Sequence, residues 1–277
     1  MPITIRPTSK IEDYEAIEWL QAEIWGPIGI SPTHLVLTIA KESGVVLLAE
    51  DDGRPIGFVF GFLALTGEGR LKLASHQAGV LPRYQSQGIG YRLKLAQREA
   101  ALAKNIDLIT WTYDPLQGRN ARLNLNKLGA VCNTYLPNLY GNMADALNQG
   151  LPTDRFRVDW WLASPHVKQR LAGAETPLNW NAYPVLNEGR QLANGLIAPP
   201  DRFATPDGSF CLVEIPADIA PFKTEAPELA LQWRLQTREI FETVFAMGYT
   251  AVDLLRRENR NYYLLQKNWL QETTNEN

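Results

Sequence analysis

The chain has 277 residues, a formal net charge of −3, 45% hydrophobic residues and 21% charged residues. That is the composition of a globular chain, too apolar for a disordered one, and at ~150 residues per domain it suggests one large domain or two ordinary ones. The slightly acidic balance supplies no basic field for a nucleic-acid backbone or an anionic membrane surface. The longest apolar run, Ile56–Leu65, falls far short of the ~20 residues that span a bilayer. Residues 1–25 lack the basic, then apolar, then small-residue order of a signal peptide. Cys132 and Cys211 are isolated, as are His34, His76 and His166, so neither a disulfide framework nor a metal site is expected. A reducing cytoplasm is the expected compartment.

Ile3-Thr4-Ile5-Arg6 alternates as a strand. Ile11, Tyr14, Ile17, Leu20 and Ile24 then mark a helix ended by Gly26-Pro27. A second helix is expected from an N-cap at Ser31, with Pro32 at its first position, to Gly44. Val45–Glu50, Ile56–Leu65 and Leu71–Leu81 read as an antiparallel meander, with Asp51-Asp52-Gly53 as the first hairpin turn. Ile89, Leu93, Ala96, Ala100 and Ala103 form a helical stripe with charges opposite, and Asp107–Tyr113 a buried strand, so a parallel crossover is expected. A short helix over 119–128 closed by Gly129 follows, then strands at Val131–Leu136 and Phe156–Ala163. Residues 199–208 read as a linker or surface loop. Beyond them come Phe210–Ile215, a helix from Glu228 to Met247, Thr250–Leu255 and Tyr262–Leu265.

The informative hexapeptide is Gln85-Ser86-Gln87-Gly88-Ile89-Gly90. Its pattern arises by chance in roughly a quarter of chains this long, taking Gly near 7%, so its context must carry the reading. It leaves an apolar strand and opens an amphipathic helix, where small residues let backbone N–H groups and the helix dipole converge on a pyrophosphate. A Walker loop would need Gly-Lys-Ser/Thr, which is absent, and a Rossmann loop three spaced glycines after a first parallel strand.

With Val80-Leu81-Pro82 before it, the hexapeptide resembles the coenzyme A site of the GCN5-related N-acetyltransferase family, and so does the order of elements from residue 3 to about 163. The resemblance implies an α/β fold with a mixed sheet, and acetyl-CoA or another acyl-CoA as co-substrate with no metal. Gln85, Ser86, Gln87, Gly88, Ile89 and Gly90 would cradle the pyrophosphate. Ala78, Gly79, Val80 and Leu81 would meet pantetheine and the thioester carbonyl, with a strand bulge aiming a backbone N–H, that of Val80, at the oxyanion. The stretches 111–116 and 150–156 are similar to a branch described as predicted acyltransferases, some relatives of which are associated with N-acylation of amino acids.

Acyl transfer to an amine also needs a base, and an acid for the departing thiolate. His76, on the strand before the hexapeptide, matches the position of a catalytic His in family members that acylate aryl-alkylamines. The other reading is a histidine hydrogen-bonded between sheet and helix, and a bulge would leave its face undecided. Asp114 could take the proton, or serve as an Asp-Pro turn or helix cap. The family's usual acidic Tyr, four residues before Gly129, is Leu125 here, leaving either another donor, Tyr113, Tyr140 or Asn120, or an unassisted thiolate. Asn120 could otherwise touch pantetheine or cap a helix. Arg92 and Lys94 would reach a 3′-phosphate or lie on a solvated helix face. Arg119, Arg155 and Arg157 would clamp a carboxylate or form surface ion pairs, and Trp160-Trp161 marks a strand buried on both faces.

The expectation is a cytoplasmic acyl-CoA-dependent N-acyltransferase acting on a small-molecule amine, by direct attack without a covalent enzyme intermediate. It uses neither nucleic acid nor membrane and leaves room for a homodimer. The alternative is a non-catalytic acyl-CoA-sensing protein. Residues 1–170 would form the acyl-CoA-binding domain and 171–277 a smaller α/β domain, a reduced, coenzyme-free half-repeat that helps wall the acceptor site.

Overall fold

The Asp-Gly turn behaves as its chemistry dictates. In the structure, a computed structural model describing residues 3–141, 150–173 and 180–269, β2 (Val45–Asp51) pairs antiparallel with β3 (Arg54–Leu65) up to Asp51↔Arg54. The two turn residues, Asp52 at φ 49° and Gly53 at φ 73°, are both left-handed, the conformation whose twist matches the flanking strands. The chain packs as two compact units that divide at Trp111/Thr112.

In the first unit β1 (Thr4–Pro7) lies antiparallel to β2, and β3 to β4 (Leu71–Val80). A crossover through helix α3 (Ile89–Leu102) brings β5 (Leu108–Tyr113) parallel to β4, in register Leu73↔Ile109 and Ala74↔Thr110. Helices α1 (Ile11–Trp25) and α2 (Thr33–Lys41) cover one sheet face, where Ile17, Leu20 and Val36 bury against Val46, Leu48, Phe58 and Phe60. α3 packs on β2, β3 and β4. With both faces covered, β2 and β3 are near-continuous apolar runs. Pro32, not Ser31, is the residue that flanks α2 at its start, so it stands one position earlier than expected. Asp13 anchors the start of α1: it accepts from the N–H of Ser9 and Lys10 and pairs with Arg6, which also pairs with Glu50 on β2.

The second unit holds α4 (Gly118–Ala121), continuing as a π-turn over Arg122–Lys127, then β6 (Val131–Leu136), β7 (Arg155–Trp161) and α5 (Pro165–Leu171). A small ribbon, β8 (Arg190–Gln191) with β9 (Ile197–Ala198), precedes β10 (Phe210–Ile215), α6 (Ala220–Glu225), α7 (Pro227–Ala246), β11 (Tyr249–Arg257) and β12 (Arg260–Lys267). The strand order is β7-β6-β11-β12-β10, with antiparallel neighbours. Phe156 centres the core, its ring centroid 4.6 Å from that of Phe241, 5.2 Å from Tyr263 and 5.5 Å from Phe245. Trp160 is buried and Trp161 only half-buried, so this strand is not sealed on both faces as expected.

A helix–strand–strand pattern occurs twice in this unit. Gly129 at φ 71° ends the π-turn before β6, and Gly248 at φ 84° ends α7 before β11. The same short step beyond each glycine, the register slips: between Cys132 and Thr134 in β6, and between Ala251 and Asp253 in β11. Cys132 and Ala251 pair with each other, the π-turn packs on β11, and α7 packs on β6. The two halves therefore exchange helices about a local two-fold at that pair. For this reason packing does not divide the chain near residue 170: β6 and β7 share a core with α7, β11 and β12.

Candidate functional site

After β4 the chain makes a 3-10 turn at Pro82–Tyr84 and enters the hexapeptide. Ser86 at φ 65° and Gly88 at φ 77° are both left-handed, and Gly88 flanks the first turn of α3. These two reversals turn the backbone so that, among the described residues, no backbone carbonyl accepts from the N–H of Ser86, Gln87 or Gly88. The first N–H groups of α3 are free by helix geometry. A Cβ built on Gly88 or Gly90 meets no atom within 4 Å, so the space above the loop is open. Ile89 is buried beneath it, while Gln85, Ser86, Gln87 and Gly88 are exposed. Gln85 Nε2 donates to the Val80 carbonyl at 3.1 Å and Gln87 Nε2 to that of Arg83 at 3.3 Å, which ties the loop to the strand end. Donors on open space at a helix start suit an anion such as a pyrophosphate.

β4 supplies the second feature. Its pairing with β5 ends at Ala74↔Thr110, while its pairing with β3 continues to Gly57↔Val80. The Leu81 N–H bonds the Ile56 carbonyl at 2.9 Å. By antiparallel alternation Gly79 and Gln77 then face β3, and Ala78 and Val80 present their N–H groups to the opposite, parted edge. Gly79 has a separate duty: a Cβ there would come within 2.8 Å of Ile24 Cδ1 and 3.1 Å of the Trp25 ring, so α1 seats on it.

The register slip of β4 falls between Phe60↔Gln77 and Gly61↔Ser75, which makes His76 the extra residue. The bulge thus lies at His76, just past the last β4–β5 pair, and not beside Val80 as expected for the oxyanion donor. The His76 ring lies 5.5 Å from Phe60 and 6.0 Å from Phe62, on the face that α1 and α2 cover. It is exposed and makes no hydrogen bond among the described residues, and partial desolvation beside the two phenylalanine rings lowers its pKa below the ordinary value. The reading of a histidine bonded between sheet and helix therefore fails.

Behind the same parting point lies a polar cluster that the stripe of α3 hides. α3 buries Ile89, Leu93, Lys94, Gln97 and Ala101, a face rotated from the expected one, with Ala103 exposed. Lys94, expected at a phosphate or in solvent, is 5% exposed. Its Nζ lies 3.0 Å from Ser75 Oγ, 3.0 Å from Gln97 Oε1 and 3.7 Å from the Trp111 ring centroid. Gln97 Nε2 is buried without a partner. Exposed Arg92 bonds the Ile3 carbonyl.

The remaining candidates belong to the second unit. Asp114 is buried and committed: Oδ1 accepts from the Leu116 N–H at 2.9 Å, and Oδ2 from Arg234 Nη2 at 2.6 Å. That is the turn-forming role, reinforced by an ion pair, and it removes Asp114 as a free base. Asn120 is exposed inside α4, whose N-cap is Gln117, so it caps nothing. Leu125 is fully buried within the π-turn. Tyr113 is sealed against Tyr263, hydroxyl to hydroxyl at 3.2 Å, and burial drives its pKa far up, which excludes it as an acid. Tyr140 is exposed and bonds Thr112 Oγ1 at 2.9 Å. Arg155 is buried, stacks on the Tyr140 ring and bonds the Asp154 carbonyl. Arg157 bonds Thr134 at the surface. Burial raises both cysteine thiols, that of Cys211 to about 12. No His, Cys, Asp or Glu group suited to a metal, and no helix long and apolar enough to cross a membrane, occurs among the described residues.

Residues 12–129 match the family model described as "Acetyltransferase (GNAT) family". No curated protein matches the sequence. Similar solved structures include the NatC complex bound to Gag peptide and CoA, at 16% identity over 57% of this chain and 98% of that one, TM-score 0.48. Ard1 from Thermoplasma volcanium is similar at 18% identity over 57% and 97%, TM-score 0.44. The ribosomal-protein-S18-alanine N-acetyltransferase of Escherichia coli is similar at 13% identity over 64% and 98%, TM-score 0.48. The family match ends at Gly129, after the hexapeptide, both strands that part beside it and the π-turn. Residues 12–129 are therefore a domain of the GNAT acetyltransferase family, and the chain continues beyond it into a region the match does not cover.

Proposed function

We propose that the chain is an acyl-CoA-dependent N-acyltransferase that moves an acetyl or other short acyl group onto the primary amine of a small molecule such as an amino acid. The observation that carries this reading is the open N–H cradle at Ser86–Gly90 placed end-on to the unpaired edge of β4. The cradle would take the pyrophosphate of acyl-CoA. The Ala78 and Val80 N–H groups would hold the amides of the pantetheine arm like an added strand. At ~3.3 Å per residue, β4 from Leu81 back to His76 spans about 17 Å, close to the reach of that extended arm. The thioester then falls at the bulge, and Val80 serves the arm more than the oxyanion.

His76, with its lowered pKa, is neutral at physiological pH and would take the proton of the incoming ammonium. The amine then attacks the thioester carbonyl directly. Both cysteines are buried with raised thiol pKa values, which supports a route without an acyl-enzyme. One observation favours a non-catalytic acyl-CoA sensor instead: the position of the family's usual acid is a buried leucine.

The test pairs binding with turnover. Gly90→Glu puts a carboxylate into open space in the cradle, so the fold should melt unchanged while acetyl-CoA affinity, by calorimetry, falls by at least about tenfold. Equal binding by both proteins overturns the cradle. Wild-type protein with acetyl-CoA and a panel of amines should release free thiol in an amine-dependent way. Binding without such release favours the sensor.

A further inference from the structure

The parting of β4 from β5 has a vertex, and the vertex is occupied. Ala74↔Thr110 is the last pair. The next residue on each strand, Ser75 and Trp111, touches one group, the Lys94 amine, at 3.0 Å from the hydroxyl and 3.7 Å from the ring centroid. A cation has been carried from α3 into the sheet at large desolvation cost. A structural role would be met by an apolar residue, since the partners include no carboxylate and Gln97 Nε2 remains unsatisfied.

We propose that Lys94 is the proton source for the coenzyme A sulfur, acting through the Ser75 hydroxyl in place of the missing tyrosine. This rests on the acyl-CoA reading above, which brings the thioester to the bulge at His76, the neighbour of Ser75. As the tetrahedral intermediate collapses, the carbon–sulfur bond breaks and its electron pair stays on sulfur. Ser75 Oγ, which donates to Gln97 Oε1 at 3.0 Å in the free protein, turns its proton to sulfur and takes one from Lys94 Nζ, leaving coenzyme A thiol and a neutral amine. The ammonium nitrogen sheds two protons on its way to the amide: the first leaves through His76 before attack and passes to solvent, and the second, lost as the intermediate collapses, restores Lys94 through solvent. Lys94 is then a positioning and relay residue, with Ser75 touching the substrate.

Burial alone lowers the Lys94 ammonium to about 7, so it can release a proton at neutral pH. No charged neighbour contributes to that shift. Around it, Arg6 on β1 is paired with Asp13 and with Glu50 of β2, Arg70 before β4 with Asp107 before β5, and Arg98 on α3 with Glu99. His76 on β4 lies with Phe60 and Phe62, and Asp51 of β2 bonds Tyr84.

Coenzyme A itself is the probe, read by calorimetry and by the ultraviolet thiolate band across pH. The bound thiol and the Lys94 amine share one proton through Ser75, so the thiol should ionise below the free thiol, and Lys94→Met should raise that midpoint by on the order of one pH unit. Lys94→Arg keeps the charge and the low midpoint but should lose kcat, with little change in KM for acyl-CoA. If Lys94→Met gives no cooperative melt, Ser75→Ala decides by the same titration. A raised midpoint supports the relay. Binding with an unchanged midpoint overturns it while the acyl-CoA reading stands, and absence of coenzyme A binding to wild type overturns that reading first.

Discussion

At His76 a single extra residue in β4 decides what the side chain can do. Without the bulge, strand alternation would place it opposite its neighbours in the usual order. The slip at Ser75–Gln77 instead turns its ring toward Phe60 and Phe62, with no hydrogen-bond partner to occupy its nitrogens. Because its pKa lies below 6.5 in the fold, the base form is present above that value and is lost as pH falls through it. His76→Gln should therefore lower kcat by about 10²-fold or more, leave acyl-CoA binding unchanged, and abolish the acid limb of the pH–rate profile. A variant with full activity and the same acid limb would remove His76 from the chemistry. The residue was visible in the sequence, but its face was not, because a one-residue slip inverts everything period two predicts.

Among elements, α7 is the one that ties its unit together, and it does so through two arginines one helical turn apart. Arg234 pairs with Asp114 at 2.6 Å. Arg238 grips Asp154 through Nε and Nη2 at 2.8 and 2.7 Å. Burial disfavours the charge on Asp154, but Arg238, the Asn138 N–H and the Tyr135 hydroxyl outweigh it and hold the carboxyl below its ordinary pKa. These two aspartates lie in the sequence stretches that resemble the acyltransferase branch, and each has a structural partner. Asp114→Ala removes the ion-pair partner of the buried Arg234 guanidinium, so unfolding free energy should fall by about 3–5 kcal/mol in denaturant titration. A change under ~1 kcal/mol would mean that the pair contributes nothing. The strands and long helices of this unit were legible from periodicity and turn residues. The arginines were not, because a charged residue reads as solvated until a partner from far along the chain is known. Lys94 escaped for the same reason: the alanines of α3 suggested a stripe, but the helix turns its lysine and glutamine inward.

On the scale of the whole molecule, length arithmetic allowed two domains but could not divide them as packing does. Composition does not change at Trp111/Thr112, and the crossover through β5 reads as continuous. What sets the division is pairing between distant segments, Cys132 with Ala251 and Phe156 with Phe241, Phe245 and Tyr263. A fragment ending at residue 170 loses all these partners of β6 and β7. We expect it to be insoluble or to lack a cooperative thermal transition by circular dichroism. A fragment that melted cooperatively would show that the unit up to Trp111 carries β6 and β7 unaided.

The exchange of helices about Cys132 and Ala251 has a consequence for how the chain meets copies of itself. A free edge on β6 would be a template for a strand from another molecule. Here the chain's own β11 fills it, and at the far end of the order the β10 edge is bonded by Pro184 and Leu186 through Leu212. The seam is closed by a covalent tether, so the effective concentration of its two sides is set by the linker between them and not by the amount of protein present. Dilution, which separates subunits, leaves such a junction closed.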